Sequence, residues 1–260
     1  MIYFIGAGPG AFDLITVRGA EILRKAQRII YAGSLVNPEV LSAYASSECE
    51  VFDSSSLTLE EILALLIDGH NKGIITVRLH SGDPALYGAV REQFEALRDK
   101  NIPFEVVPGV SSLFAASASL KTEYMTPELS QTLIISRLEG RTPMPEREKL
   151  SSLAAHRSSL ALFLSAGMLE NVCDELIAGG YDKNTPAAVI YKASWPEERI
   201  LRGTLETLPE ISHGITKSAI ILVGEFLNEN KCAKSRLYDK NFSHEFRHGE
   251  AESIKISDDT

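Results

Sequence analysis

The sequence predicts an α/β protein of two domains, with a mainly parallel sheet in the first and a mixed sheet in the second. Short apolar runs alternate with helical patterns along most of the 260 residues, which is typical of a parallel sheet covered by helices. Turns rich in glycine, proline and small residues follow three of these runs, at residues 6–10, 81–84 and 108–112. Because the carboxyl ends of parallel strands share one edge of a sheet, we expect the three turns to lie together.

The first domain is predicted to span residues 1–120, with strands at residues 2–5, 28–31, 74–79 and 104–107. Helix starts are marked by Thr16, by Asn37 before Pro38, and by Thr58, since these residue types cap helices. Asp83 before Pro84 predicts another helix start. The third turn opens a helix rich in Ala and Ser.

The second domain is predicted to span residues 121–230, after a change of texture near residues 118–125. Prolines and glycines punctuate residues 122–147, which hold one strand at 132–136. Further apolar runs at 160–164, 187–191, 199–203 and 219–223, with a helix at 169–177, predict a mixed sheet. Residues 231–260 form a C-terminal extension that we expect to be mobile from about residue 249.

The composition excludes several classes of protein. With 44% hydrophobic and 23% charged residues and no apolar run long enough for a membrane span, we expect a soluble, cytoplasmic protein without a membrane partner. The net charge of -9 argues against nucleic acid as a partner, and any anionic substrate requires a local basic cluster. Cys49, Cys173 and Cys232 are too far apart to predict a disulfide framework or a metal cluster.

The first turn nearly matches a dinucleotide-binding fingerprint, through Gly6, Gly8 and Ala11. However, Pro9 removes an N–H from the turn, and residues 28–33 carry no acidic residue for a ribose hydroxyl. An NAD-dependent oxidoreductase is therefore the weaker hypothesis.

The stretches GAGPGAFDLIT, HSGDPALYG and VPGVSS, in this order and spacing, resemble the tetrapyrrole methylase family, whose members use S-adenosylmethionine. The segments YAGSLV, TPELSQTLIISRLEGRTPMPE, FLSAGML and SRLYDKNFSHEFR are similar to the branch that methylates ring carbon 11 of precorrin-4 in cobalamin biosynthesis. The resemblance implies a homodimeric enzyme with the active-site cleft between its two domains. It also implies S-adenosylmethionine in that cleft, S-adenosylhomocysteine as product and the tetrapyrrole in an adjoining trough. Whether that tetrapyrrole contains cobalt stays open, with a preference for cobalt-precorrin-4.

Residues carried over by motif form the predicted cofactor site. They are Pro9, Ser81, Gly82, Asp83, Leu86, Ser111, Ser112, Thr132, Ala166, Ala193 and Ala219. The resemblance places the first turn, with Gly8 and Gly10, on the tetrapyrrole side. Cations near strand ends or the linker are predicted to bind the substrate's carboxylates: Arg78, His80, Lys121, Arg137, Arg141 and Lys192.

The transfer step itself needs no strong base, because a methyl group on a sulfonium is already activated and alignment is the main task. A proton must still leave the methylated ring, and the candidate acceptors are Asp83, Tyr87, Glu123 and the substrate's own carboxylates. Residues 244–248 spell H-E-x-x-H, but they lie in a polar C-terminal segment, so we expect no metal site. Two further hypotheses are methylation of another ring carbon, as in uroporphyrinogen III, and a tetrapyrrole carrier without catalysis.

Overall fold

The computed structural model describes residues 1–228, 237 and 239–248. The segment predicted to be mobile from about residue 249 lies outside the described residues, as does Cys232. Among the described residues, no helix combines the length and the apolar character needed to cross a bilayer.

The first sheet has five strands, all parallel, in the order β3-β2-β4-β1-β5. They are β1 (Ile2–Gly6), β2 (Arg28–Tyr31), β3 (Glu50–Asp53), β4 (Thr76–His80) and β5 (Phe104–Val107). Helices α1 (Val17–Lys25) and α2 (Pro38–Tyr44) cover one face, and α3 (Leu59–Asn71) and α4 (Arg91–Asp99) cover the other. Burial on both faces explains why β1, β2 and β4 read as continuous apolar runs.

The predicted caps of α1, α2 and α3 are confirmed: Thr16, Asn37 and Thr58 each accept a hydrogen bond from a main-chain amide of the first helical turn. The strand β3 was not predicted, because it is an edge strand whose residues are mostly exposed and therefore lack an apolar run. The predicted helix start at Asp83 is wrong, since residues 84–87 form a turn and α4 begins only at Arg91.

The second sheet also has five strands, in the order β6-β7-β10-β8-β9. They are β6 (Leu133–Arg137), β7 (Ser159–Phe163), β8 (Pro186–Tyr191), β9 (Arg199–Thr204) and β10 (Ala219–Val223). Only β6 and β7 pair in parallel, and the other three pairs are antiparallel. The predicted fold class, one parallel and one mixed sheet with helices, is confirmed.

The helix α5 (Ser112–Leu120) packs against the second sheet rather than the first. Its Leu113 and Ala116 share a buried cluster with Ala188, Ile190 and Ile220 of β8 and β10. The opposite face of this sheet is covered by α6 (Leu150–Ala154), α7 (Leu169–Ala178) and α8 (Leu208–Ile211). The packing therefore joins α5 to the second sheet, whereas the sequence prediction includes α5 in the first domain.

Candidate active site

The three predicted turns meet at one edge of the first sheet, because β4, β1 and β5 are adjacent and parallel. The main chains of the first two turns are directly bonded. The Gly82 amide donates to the Gly8 carbonyl at 2.8 Å, the Gly8 amide donates back at 3.3 Å, and the Ala7 amide donates to the His80 carbonyl at 2.7 Å. Residues that are far apart in sequence thus form one continuous edge.

Three glycines, Gly6, Gly82 and Gly109, bring the turns into contact; we refer to them as the glycine junction. A Cβ atom on Gly109 would lie 2.1 Å from the Gly82 carbonyl oxygen, and one on Gly6 would lie 2.4 Å from the same oxygen. Such distances are far below van der Waals contact, so only glycine fits at both positions. At the junction, glycine serves backbone packing.

Asp83 ties the second turn to the third. One carboxylate oxygen accepts a hydrogen bond from the Ala85 amide and the other accepts one from the Gly109 amide, both at 2.8 Å. Both carboxylate oxygens therefore hold main-chain groups in place.

Three of the four predicted cofactor contacts in the second half, Ala166, Ala193 and Ala219, lie at one end of the second sheet. Ala219 pairs with Tyr191, and the next residue along, Lys192, donates its amide to the Ser218 carbonyl at 2.8 Å. At the end of β7, Ser165 donates to the Phe163 carbonyl and accepts from the Leu138 amide. Ala166 follows directly, and Gly167 packs against Thr216, just before β10.

The two edges touch each other. The Tyr87 ring after β4 lies 5.5 Å, centroid to centroid, from the Phe163 ring at the end of β7. The Trp195 indole N–H donates to the Pro9 carbonyl at 3.0 Å, and the Ala11 amide donates to the Ser194 hydroxyl at 3.0 Å. Predicted cofactor residues from both halves thus border one seam, which we refer to as the cleft.

Backbone strain is concentrated along the cleft. Non-glycine residues with positive φ are rare and persist only where the surrounding structure enforces them. Six of them lie at the two edges: Tyr87, Ala89, Leu164, Lys192, Ser194 and Ser218. Such clustering is typical of ligand sites, and it marks the same edges as the motifs.

Small side chains make this seam suitable for main-chain contacts to a cofactor. Ser111 is buried and its hydroxyl accepts from the Leu113 amide, so it caps α5. Ala166 and Ala193 are also buried. Ligand contacts at these three positions would therefore come from main-chain atoms, while Leu86 and Tyr87 offer apolar surface.

The first turn itself is more enclosed than the sequence predicts. Gly8, Pro9 and Gly10 are all buried, and the Trp195 ring lies directly against Gly10, where a Cβ atom would be 2.0 Å from its Cδ1. The open side of Gly10 is thus filled by the protein's own indole.

Two of the predicted cations are buried in β4, facing α3 and α4. Arg78 donates to the Ile30 carbonyl at 3.2 Å, and burial lowers the pKa of its guanidinium to about 10. Burial, together with the charge of Arg78, lowers the pKa of His80 to about 3. The imidazole of His80 is therefore neutral at neutral pH, which does not support its predicted role as a cation for the substrate.

Other predicted cations do lie at the cleft. Arg137, at the end of β6, donates to the main-chain carbonyls of residues 138, 142 and 143. Arg137 pairs in register with Phe163, whose ring contacts that of Tyr87. Burial raises the pKa of Tyr87, and the positive charge of Arg137 partly opposes this. The Lys192 ammonium lies 4.7 Å from the centroid of the Trp195 ring. Arg141 is exposed in the loop that Arg137 holds.

Three predicted residues lie at the opposite end of the second sheet. Lys121 and Glu123 follow the last turn of α5, roughly 13 Å from its start. Thr132 precedes β6, roughly 15 Å from Arg137, and it lines a separate cavity of about 490 Å³ with Ser130 and Arg157. The fold does not bring these three residues to the cleft.

Comparison with known proteins identifies the family. The family model for Tetrapyrrole (Corrin/Porphyrin) Methylases matches residues 1–209. The chain belongs to this family. The match covers the whole first sheet and four of the five strands of the second.

Curated relatives of this methylase are similar over nearly its full length. It is 52% identical over 248 residues to the cobalt-precorrin-4 C(11)-methyltransferase of Methanocaldococcus jannaschii, with 95% of both chains covered. It is 45% identical over 251 residues to the precorrin-4 C(11)-methyltransferase of Pseudomonas aeruginosa, with 96% of this chain and 99% of the relative covered.

Solved structures of other methylases share its fold. A cobalt precorrin-4 methyltransferase superposes with a TM-score of 0.85 at 44% identity, covering 87% of this chain and 95% of that one. A uroporphyrin-III C-methyl transferase from Thermus thermophilus, complexed with S-adenyl homocysteine, superposes with a TM-score of 0.74 at 28% identity, covering 87% of this chain and 98% of that one.

Sequence reasoning missed the residues that join the two edges of the methylase. Ser194, Trp195 and Phe163 had no assigned role, although Trp195 is the single tryptophan of the chain and stands two residues after a predicted cofactor contact. The position of Trp195 close to that predicted contact was the sequence signal that could have identified it. Their partners are up to 186 residues away in sequence, so the contacts themselves could not be read from a motif.

The H-E-x-x-H motif of the methylase does not form a metal-binding helix. His244 and Arg247 instead close a tight turn through two main-chain hydrogen bonds, of 2.8 and 3.0 Å. The two histidines therefore do not share a helical face. Within the part of the chain that the structure describes, no three metal-ligating side chains come together.

Proposed function

We propose that this methylase transfers a methyl group from S-adenosylmethionine to ring carbon 11 of cobalt-precorrin-4, giving the precorrin-5-level intermediate of cobalamin biosynthesis. The observation that carries the proposal is 52% identity to the M. jannaschii cobalt-precorrin-4 enzyme over 95% of both chains. The cleft supports it, because its small side chains and strained backbone provide a main-chain-lined site.

The proposed cofactor site uses the motif residues that the fold brings to the cleft. S-adenosylmethionine supplies a methyl group already activated by the sulfonium. The residues that would hold it are Pro9, Ser81, Gly82, Asp83, Leu86, Ser111, Ser112, Ala166, Ala193 and Ala219. The bound S-adenyl homocysteine of the T. thermophilus relative supports a cofactor of this type. Thr132 is not included, because it lies at the far end of β6.

Alignment is the main contribution of the protein to the reaction. The electron pair of ring carbon 11 forms the new carbon–carbon bond, the carbon–sulfur bond breaks, and the macrocycle loses a proton. The closely packed turns and the strained backbone at the cleft hold their main-chain groups rigidly, and a fixed geometry of this kind favours transfer between aligned groups.

The proton acceptor is either Asp83 or a carboxylate of the substrate. Tyr87 remains protonated, because burial raises its pKa above the usual value, and it acts as a hydrogen-bond donor. Glu123 is exposed beyond the far end of α5. Of the three side chains predicted for this role, Asp83 alone combines a carboxylate with a place at the cleft.

Cations on the second sheet's edge would bind the acetate and propionate groups of the tetrapyrrole. Arg137, Arg141 and Lys192 are at or near this edge, and charge-assisted hydrogen bonds from guanidinium and ammonium groups suit carboxylates. We further infer that two chains form a homodimer and that the enzyme works in the cytoplasm. Sedimentation equilibrium of the purified protein at micromolar concentration tests the dimer.

The test combines ligand binding with location of the new methyl group. Calorimetric titration should show tight binding of S-adenosylhomocysteine and none of NADH; the opposite result would indicate an oxidoreductase. Incubation with ¹³C-methyl-labelled S-adenosylmethionine and precorrin-4, with and without cobalt, should give one new methyl on carbon 11 by NMR. Methylation of uroporphyrinogen III instead would contradict the proposed substrate, and tetrapyrrole binding without transfer would indicate a carrier.

A further inference from the structure

The loop between β8 and β9, residues 192–198, crosses from the second sheet to the first turn; we refer to it as the strap. It contains two non-glycine residues in the left-handed region, Lys192 with φ of 48° and Ser194 with φ of 68°. Conformations of this kind are strained for residues with a side chain and need support from their surroundings. Ala193, a proposed cofactor contact, lies between them.

The strap is held rigidly from its own side. One carboxylate oxygen of Glu198 accepts hydrogen bonds from the Ser194 amide at 2.6 Å and from the Ser119 hydroxyl of α5 at 2.7 Å. The Lys192 amide is bonded to the Ser218 carbonyl and the Trp195 amide to the Lys192 carbonyl. Movement of Ala193 relative to the second sheet is therefore restricted.

The strap also holds the first turn. The Trp195 indole N–H donates to the Pro9 carbonyl, the Ser194 hydroxyl accepts from the Ala11 amide, and the ring covers Gly10. From the other side, the Asn37 side chain donates to the Gly10 carbonyl at 3.0 Å. The main chain of residues 9–11 is thus fixed by side chains from two distant parts of the protein.

These contacts join the two halves of the cofactor site, because Pro9 follows β1 of the first sheet and Ala193 follows β8 of the second. We propose that Trp195 is a positioning residue for the methyl transfer: its indole N–H, assisted by the Ser194 hydroxyl, sets the distance between the two edges of the cleft. The inference rests on the proposed function. A misplacement of about 1 Å in a transfer reaction can cost about 100-fold in rate, whereas binding tolerates it better.

The test removes the indole N–H of Trp195 and keeps an aromatic side chain at that position. Trp195→Phe, and separately Ser194→Ala, should lower the single-turnover rate of methyl transfer by about 10- to 100-fold. The affinity for S-adenosylhomocysteine should change by less than about 3-fold, because the contacts from the turns after β4 and β5 remain. The matched control is Tyr181→Phe, which removes another ring donor to a main-chain carbonyl, that of Ser158, far from the cleft.

Three results would overturn the inference. The first is a rate within about 2-fold of wild type in both variants, and the second is an equal loss in Tyr181→Phe at matched stability. The third is a loss of cofactor affinity as large as the loss of rate, which would make Trp195 an ordinary binding contact. If Trp195→Phe fails to fold, Ser194→Ala decides on the same criteria.

A spectroscopic readout makes the inference independent of turnover. Because Trp195 is the single tryptophan, the intrinsic indole emission of the protein reports on the strap. Saturation with S-adenosylhomocysteine should change the emission spectrum of the wild type, since the ligand would contact Ala193 two residues away. Calorimetric binding with no change in emission would overturn the inference, even if the wild type proved inactive on precorrin-4 and the proposed substrate were wrong.

Discussion

The two edges that border the cleft are built in opposite ways. At the first sheet, glycines bring main chain directly onto main chain, with Gly6, Gly82 and Gly109 in mutual contact. At the second sheet, the strained positions are occupied by larger residues such as Lys192 and Ser194, which hydrogen bonds hold in place. The first edge should therefore tolerate no added atoms, while the second should depend on particular polar bonds.

The largest effect is expected from Gly109→Ala. The new Cβ would lie 2.1 Å from the Gly82 carbonyl oxygen, and main-chain atoms on both sides cannot move aside without separating the turns. We expect a loss of more than about 3 kcal/mol in the free energy of unfolding, measured by urea denaturation.

Gly73→Ala is the matched control for that substitution. Gly73 has a φ of 71° and nothing within 4 Å of a new Cβ, so only backbone strain applies and about 1 kcal/mol should be lost. Equal losses in the two variants would show that the glycine junction is not sterically special.

The next largest effect is a loss of folding stability at acidic pH, caused by the buried side chain of His80. His80 has a pKa of about 3 in the folded protein, against about 6.5 when unfolded. The unfolded state therefore takes up a proton first as the pH falls below about 6.5, and stability decreases until about pH 3. Between pH 7 and pH 4 this amounts to about 3 kcal/mol.

His80→Gln should remove that part of the acid sensitivity. Unfolding free energies measured from pH 7 to pH 4 should fall less steeply in this variant than in the wild type. His156→Gln is the control, because it removes an exposed imidazole instead of a buried one. A slope that is the same in all three proteins would contradict the buried, neutral state of His80.

The sequence predicted the elements better than the contacts between them. Apolar runs identified β1, β2 and β4 because these strands are buried on both faces, and β3 escaped because it is an exposed edge. The apolar run of β4 did not indicate that Arg78 and His80 are buried. The spacing of apolar residues does not show which faces of a strand are covered by helices. The ends of the second sheet could not be distinguished either, because strand order and direction are tertiary properties.

Two carboxylates near strand ends of the first sheet, those of Asp83 and Asp53, both accept hydrogen bonds from main-chain amides. Asp83 accepts hydrogen bonds from the Ala85 and Gly109 amides, and Asp53 accepts them from the Ser55 and Gly33 amides, at 2.8 to 3.0 Å. At Asp83 the two amides bond to different oxygens, so Asn turns an NH₂ group toward one amide N–H, which should cost about 1–3 kcal/mol at this half-buried site. At Asp53 both amides bond to Oδ1, which Asn retains.

Only Asp83→Asn should also reduce methyl transfer, by about 10-fold or more, because Asp83 connects two turns of the glycine junction and is a candidate proton acceptor. Asp53→Asn is its control, as that carboxylate lies at the edge strand β3. Single-turnover rates and urea denaturation of both variants test this expectation. A wild-type rate of transfer in Asp83→Asn would show that Asp83 neither positions the turns for the reaction nor accepts the proton.

The smallest effect should distinguish the two ends of the second sheet. Arg137 pairs with Phe163 at the end of β6 that borders the cleft, whereas Lys121 follows the far end of α5. The sequence predicted both as cations for the substrate. Arg137→Gln should raise the KM for the tetrapyrrole about 5- to 10-fold, near 1 kcal/mol, through loss of one charge-assisted contact. Lys121→Gln should leave the KM unchanged. Because Arg137 also holds the loop of residues 138–143, the melting temperature of Arg137→Gln is measured as well. An equal rise of KM in Lys121→Gln would contradict the placement of the substrate at the cleft end of the second sheet.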